Sequence, residues 1–270
     1  MKVSLISFLL ILVSTAVIAQ ESLVRLVIET DSGNMVVELF NETPAHRDNF
    51  LKLAKEGFYD GTSFHRVIKN FMIQGGDPNS KEGAEGAPGS GGPEYTIPAE
   101  IRPELFHQKG ALSAARKGDN VNPKRESSGS QFYIVQGKKT NPTELKKIEE
   151  RSNFDQKNAI SRAFFSEPEN EEYVARIKAA QADGNQDEIK AVMDEVSPLI
   201  DSRFEGRSFS YTKEQIEIYN TLGGTPFLDL QYTVFGQVIE GLDVIDKLAA
   251  IKTNGESPVA PHRMTVKVIE

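Results

Sequence analysis

The 270-residue chain contains no cysteine and no tryptophan, and only four histidines. Without cysteine there is no thiolate nucleophile, no Cys-ligated zinc or iron–sulfur cluster and no disulfide switch. Cysteine usage therefore says nothing about compartment. The histidines, at 46, 65, 107 and 262, stand far apart without ligand spacing, which argues against a His-rich metal site. Positive charge is also in short supply. The 31 Lys and Arg against 39 Asp and Glu give a formal charge of −8, which offers no general field for nucleic acid or an anionic membrane. With 39% apolar and 26% charged residues the composition is that of a globular protein, not a multispan membrane protein or a disordered tail. One apolar run exists: Lys2 precedes 3–19, which closes on Ala16 and Ala19 before Gln20 and Glu21. It reads as a secretory signal peptide cleaved after Ala19. The rival, a retained anchor, is disfavoured by its length and by Ser4, Ser7, Ser14 and Thr15 within it. The expectation is an exported chain, periplasmic or secreted, with no membrane association after cleavage.

From Leu23 onward, apolar and β-branched segments at 23–29 and 35–40 flank Asp31-Ser32-Gly33-Asn34, the pattern of a hairpin. Thr43-Pro44 opens a helix with Phe50, Leu53 and Ala54 at helical spacing, and Gly57 stands at its C-terminal end. Short strand text at 62–68 and 71–74 runs into a Gly- and Pro-rich loop over 75–93. A phosphate-binding reading of that loop fails, because its glycines lack a following Lys-Ser/Thr and a strand–helix frame. At Gly137 the β text stops. Up to Gly224 the chain reads as charged amphipathic helices, opened by Asn141-Pro142-Thr143-Glu144, continued over 171–182 and 186–196, and ended by a helix with the capping box Thr212 to Gln215. Strand text returns at 232–236, a helix follows over 242–250, and Met264, Val266 and Val268 alternate with Thr265, Lys267 and Ile269 at the end. Segment 137–224 thus reads as a helical insertion in a β domain made of 20–136 and 225–270. Such an insertion is tolerable because loop closure costs grow only logarithmically with length. Phe154, Phe164, Phe165, Tyr173 and Ile177 are its candidate apolar faces.

Ser128-Gly129-Ser130 comes near a nucleophile elbow but is not one. What stands out is Phe64-His65-Arg66-Val67-Ile68 followed by Phe71-Met72-Ile73-Gln74-Gly75-Gly76-Asp77, which sets one cation and one amide among large apolar side chains.

Together with Tyr59-Asp60-Gly61-Thr62-Ser63, this stretch resembles the signature of cyclophilin peptidyl-prolyl isomerases. Gly129-Ser130-Gln131-Phe132-Tyr133-Ile134 resembles the family's second motif, and Leu228-Asp229 with Val234-Phe235-Gly236 its third, in the same order. The resemblance covers 23–136 and 225–270 and skips the helical block. It implies a mainly β fold, a closed eight-stranded antiparallel β-barrel capped by two α-helices, here with a helical insertion. It implies isomerisation of Xaa-Pro bonds in folding proteins, with no cofactor and no metal. Arg66 would donate to the prolyl nitrogen and Gln74 would position substrate backbone. Phe71, Met72, Tyr133 and Leu228 would wall the proline pocket, with Gln131, Phe227 and Tyr232 on its rim. Ala115 and Arg116 would bond substrate main chain. His65 is expected on the opposite side of its strand as a structural hydrogen-bonder, and Phe132, opposite in direction to Tyr133, in the core. Expected partners are proline-containing segments of unfolded or folding proteins, bound by a monomer, with no nucleic acid. Phe227, where many members carry Trp, implies weak cyclosporin binding. Tyr232 and Leu230 also depart from eukaryotic members, and Ala114-Ala115-Arg116 replaces the common Met-Ala-Asn, a change that bears on the residue before proline. The alternative is a proline-segment-binding chaperone or assembly module with little turnover, which would need the apolar pocket but neither Arg66 nor Gln74.

Overall fold

The computed structural model describes residues 23–269; the segment 1–19, read above as a signal peptide, lies outside them. Twelve strands occur: β1 Arg25–Thr30, β2 Gly33–Leu39, β3 Arg66–Ile68, β4 Met72–Gly75, β5 Thr96–Ile97, β6 Ala111–Ala114, β7 Ser127–Ser128, β8 Phe132–Val135, β9 Val234–Glu240, β10 Thr253–Asn254, β11 Ser257–Pro258 and β12 Met264–Val268. Six α-helices accompany them: α1 Pro44–Lys55, α2 Pro142–Ser166, α3 Glu171–Ala182, α4 Gln186–Phe204, α5 Lys213–Thr221 and α6 Leu242–Ala249. The antiparallel sheet is the frame of the fold, and α2 to α5 fill the chain between β8 and β9.

Eight strands form one antiparallel sheet in the order β12-β1-β2-β9-β6-β8-β4-β3, strongly curled. The sheet is an open half-barrel, not the closed barrel expected. Its edge strands β12 and β3 share no ladder, and only the bridge Ser63–Arg263 with a few main-chain bonds from 61–64 to 262–264 spans the gap. The physical reason lies in β3. It has three residues, and its Val67 N–H donates to the Glu256 carbonyl at 2.8 Å, so the hairpin of β10 and β11 occupies the edge that closure would need.

Alternation along the strands divides the sheet into two faces. Leu26, Ile28, Val37, Val67, Ile73, Phe132 and Ile134 point inward, where Phe50 and Leu53 of α1 and Val244, Ile245 and Leu248 of α6 cover them. These two helices are the caps expected from the sequence. Thr43 stands at the N-cap of α1, yet its hydroxyl is buried without a partner, so Pro44 rather than side-chain capping starts this helix. On the outer face Met72, Tyr133, Val135 and Val234 form a second apolar cluster.

The remaining helices obey their local signals. Asn141 caps α2, and Thr212 with Gln215 forms the complete capping box of α5. Helix α4 runs to Phe204, beyond the 186–196 read from sequence and past Pro198, because Val192, Val196 and Ile200 bury one stripe on both sides of the proline. That stripe packs with Phe164, Phe165, Tyr173 and Ile177 into a core of its own, while Phe154 stays exposed. The helical segment leaves and returns at one point. Lys138 and Gly224 exchange both main-chain bonds at 3.1 Å, and a Cβ on Gly137, which sits at φ +63°, would lie 2.4 Å from Gly224.

Helical segment and sheet meet at a buried carboxylate. Asp229 Oδ1 accepts from the His107 main-chain N–H at 2.9 Å and from His107 Nδ1 at 2.8 Å. Its Oδ2 accepts from the hydroxyls of Tyr211 at 3.0 Å and Tyr219 at 2.6 Å. Burial, then the nearby Asp229 charge, pushes both tyrosine pKa values up, so the hydroxyls stay protonated donors. Asp229→Ala strands four donors and is expected to cost about 3–5 kcal/mol, read as a lower urea midpoint at unchanged slope. Should that variant fail to fold, Tyr219→Phe, which removes one bond to a charged group, is expected to cost about 1–3 kcal/mol by the same measurement.

Candidate active site

Strand register builds the site. Arg66 of β3 faces Gln74 of β4, Gln74 faces Tyr133 of β8, and Tyr133 faces Ser113 of β6, so the outer face carries these four side chains in one row across four strands. Beside this row opens a cavity of about 330 Å³. Nine of the eleven residues singled out in the sequence line it: Arg66, Phe71, Met72, Gln74, Ala115, Arg116, Tyr133, Leu228 and Tyr232. Phe227 does not line it. Its ring is 55% exposed and lies 5.6 Å from the Phe71 ring, as an aromatic lip outside the cavity. Gln131 is buried rather than on the rim.

The polar side is a chain of hydrogen bonds. Arg66 Nη1 donates to Gln74 Oε1 at 3.3 Å, and Gln74 Nε2 donates to Gln131 Oε1 at 3.0 Å. Gln131 Nε2 in turn donates to the carbonyls of Gly91 at 2.8 Å and Gly89 at 3.1 Å. The buried Asp77 carboxylate accepts from the main-chain N–H groups of Asn79, Gly89 and Gly91. It thereby folds the Gly-rich loop so that Pro88 and Gly89 form a cavity wall. At the other end Arg66 Nε donates to Glu256 Oε2 at 2.6 Å, while its Nη2 makes no bond among the described residues.

On the apolar side, His107 Nε2 meets the Tyr133 hydroxyl at 3.0 Å, with Nδ1 committed to Asp229. Tyr232 packs edge-on against Tyr133 at 5.9 Å and carries the Arg116 guanidinium over its ring at 4.4 Å. Arg116 further donates from Nε to the Gln231 carbonyl and from Nη1 to Asp119. Ala115 departs from expectation, since its N–H goes to Gln131 O at 3.0 Å and its carbonyl accepts from Ser128 N at 2.8 Å. The peptide groups of Arg116 make no such bonds among the described residues.

His65 is not the satisfied hydrogen-bonder expected. Residue 65 precedes β3, so strand alternation does not govern it. Its ring lines the cavity, and both ring nitrogens are buried without partners. Sequence reasoning also missed Glu256, Ser257, Pro88 and Gly89. Glu256 lies 190 residues from Arg66 in a turn that carries only the Asn254-Gly255 signal. Among the described residues no group of three His, Asp or Glu converges as metal ligands, and no helix is long and apolar enough to cross a membrane.

A family model described as cyclophilin type peptidyl-prolyl cis-trans isomerase matches residues 25–187 and 171–268. The chain belongs to the cyclophilin-type peptidyl-prolyl isomerases. A peptidyl-prolyl cis-trans isomerase of Staphylococcus aureus is 31% identical over 255 residues, 93% of each chain. One from Staphylococcus epidermidis is 31% identical over 239 residues, 88% of this chain and 86% of the relative. The fold is shared with a cyclophilin type isomerase of Cryptosporidium parvum, at TM-score 0.54 and 21% identity, covering 92% of this chain and 99% of that one. A second structure of that protein, in the presence of the dipeptide Ala-Pro, gives TM-score 0.53 and 20% identity. The chain is thus an enzyme that isomerises peptidyl-prolyl bonds.

Burial lowers the pKa of both His46 and His65 below the ordinary 6.5. The unfolded chain then binds more protons than the native one once pH falls below about 6.5, so stability is lost on acidification through that window. The urea midpoint is expected to fall between pH 7.5 and 5.5, and His65→Gln is expected to remove part of that slope.

Proposed function

We propose that the cavity is the proline site and that Arg66 is its catalytic donor. Rotation about a prolyl peptide bond crosses a barrier of about 18–20 kcal/mol that comes from amide resonance. No bond to the substrate is made or broken. As the amide twists, its nitrogen lone pair localises and becomes a hydrogen-bond acceptor, which it is not in the planar ground state. A donor fixed at that nitrogen therefore binds the twisted state in preference to the planar one. The Nη2 group of Arg66 suits this task, being permanently protonated and planar, and uncommitted within the protein, while Nε and Nη1 hold the guanidinium in place.

Phe71, Met72, Tyr133 and Leu228 receive the pyrrolidine ring, and Gln74, held by Gln131, orients substrate backbone. The free peptide groups of Arg116, rather than those of Ala115, hold the neighbouring main chain. A 10⁵-fold acceleration needs about 7 kcal/mol of preferential stabilisation, within reach of a few preorganised bonds in a dry pocket. The substrates are proline-containing segments of polypeptides, a reading supported by the relative solved with Ala-Pro. Phe227 offers no indole N–H, which supports weak cyclosporin binding. The pairing of Lys138 with Gly224 supports 137–224 as an insertion in one host domain. Export rests on residues 2–19 of the sequence alone.

The observation that carries the reading is the uncommitted Arg66 nitrogen beside an apolar cavity. Arg66→Ala is expected to lower kcat/KM on a short Ala-Pro peptide by about 100-fold or more. An Arg66→Ala enzyme as active as the parent would refute the assignment.

A further inference from the structure

Of the residues that line the cavity, three carry permanent charge: Arg66, Arg116 and Glu256. Each cation already has a carboxylate partner, and Arg66 keeps only Nη2 free. Arg116 has a side chain only 3% exposed, and its guanidinium is spent on Asp119, the Gln231 carbonyl and the Tyr232 ring. Arg66 is paired through Nε with Glu256. The anion is not fully engaged. Glu256 gives Oε2 to Arg66, while Oε1 has no partner among the described residues and the side chain is 55% exposed at the cavity mouth. The carboxylate is also held in place. Its residue sits in the tight hairpin of β10 and β11, next to Gly255 at φ +61°, and the Glu256 carbonyl is bonded to Val67, the neighbour of Arg66.

Arg66 holds the Glu256 carboxyl below its usual range, so the group is ionised at neutral pH. An acidic substrate side chain arriving at this mouth meets a carboxylate, and the one cation there with a free N–H, Arg66, is already paired with that carboxylate and is the donor assigned to the prolyl nitrogen. A basic one meets an accessible carboxylate oxygen. We propose that Glu256 is a specificity-determining residue that makes this isomerase prefer prolines flanked by Lys or Arg over prolines flanked by Asp or Glu. The inference rests on the cavity being the proline site.

The test uses three tetrapeptides that differ only in the residue before proline, Lys, Ala or Glu, assayed for kcat/KM and titrated for Kd. For the parent chain, the Lys-Pro to Glu-Pro ratio is expected to be about three- to fivefold at low ionic strength, and to shrink as salt is added. Glu256→Gln should bring the ratio to near one, and Glu256→Lys should invert it. Thermal midpoints close to the parent's would exclude misfolding, and each ratio is taken within one variant, so a general loss of activity cancels. An unchanged Lys-Pro to Glu-Pro ratio in Glu256→Gln, whatever its absolute rate, would overturn the role of Glu256 alone, provided the parent turns over Ala-Pro. Absence of Ala-Pro turnover in the parent would instead overturn the assignment of the proline site, and this inference with it.

Discussion

One buried carboxylate holds the parts of this enzyme in their relation to one another. Asp229 follows the turn that carries Leu228 into the cavity, and its two oxygens face in different structural directions. Oδ1 binds His107, whose other ring nitrogen reaches the Tyr133 hydroxyl in the cavity wall. Oδ2 binds Tyr211 and Tyr219 of the helical segment. A buried anion is costly unless paired and fully hydrogen-bonded, and here three different side chains and one peptide group satisfy it. The geometry of each partner is therefore constrained by the others: Tyr133 cannot tilt in the pocket without straining a bond that ends, through His107 and Asp229, in helix α5.

The opposite wall of the cavity is held by different means. There the side chains are amides and a guanidinium, and each end of the Arg66–Gln74–Gln131 chain is tied to a carboxylate. Glu256 lies at the solvent end. Asp77 lies at the buried end, acting through the loop main chain that Gln131 also grips. Fixing a guanidinium this way places its organisation in the folded ground state, so in the mechanism proposed above no reorientation would remain when the prolyl nitrogen turns into an acceptor. It also explains why a Gly-rich stretch serves here without any phosphate. A Cβ on Gly91 would lie 2.3 Å from Asp77 Oδ1, so glycine at this position lets the loop main chain close on the carboxylate.

Arg66, Gln74 and Tyr133 were legible in the sequence through motifs that resemble the family's, and a physical rule accounts for their sharing one face. Arg66, Gln74 and Tyr133 lie in strands, where period-two alternation and antiparallel register turn sequence position into a face and a neighbour. The same rule separated core Phe132 from cavity Tyr133. It failed at His65, one residue before its strand starts, while Ala115, given a substrate-bonding role by the resemblance, lies one residue past β6, where Gln131 and Ser128 take up its peptide groups. Glu256 was invisible because a turn of Asn, Gly and Glu says nothing about what it folds against. Barrel closure was misjudged for a related reason: strand count is readable from sequence, but whether an edge three residues long is taken by a neighbouring hairpin is a tertiary fact. Helix α4 continues past the 186–196 read from sequence, and through Pro198, because burial of Val196 and Ile200 on either side outweighs the lost main-chain bond.

The helical segment is topologically separable and energetically not. It enters and leaves through the Lys138–Gly224 pair, where glycines let two main chains touch, and it carries its own apolar core around Phe164 and Val196. Those features alone would permit a freely hinged appendage. Two others forbid it. Tyr211 and Tyr219 put their hydroxyls on Asp229, and Gln215 donates to the Pro103 carbonyl, so the last helix of the segment is bonded at several points to the strand-bearing part. Bonds to a desolvated anion are stronger than neutral ones, and Asp229 is also the support of the cavity wall. Any force on α5 therefore reaches Tyr133 through two side chains, and the segment is part of what shapes the cavity rather than an addition beside it.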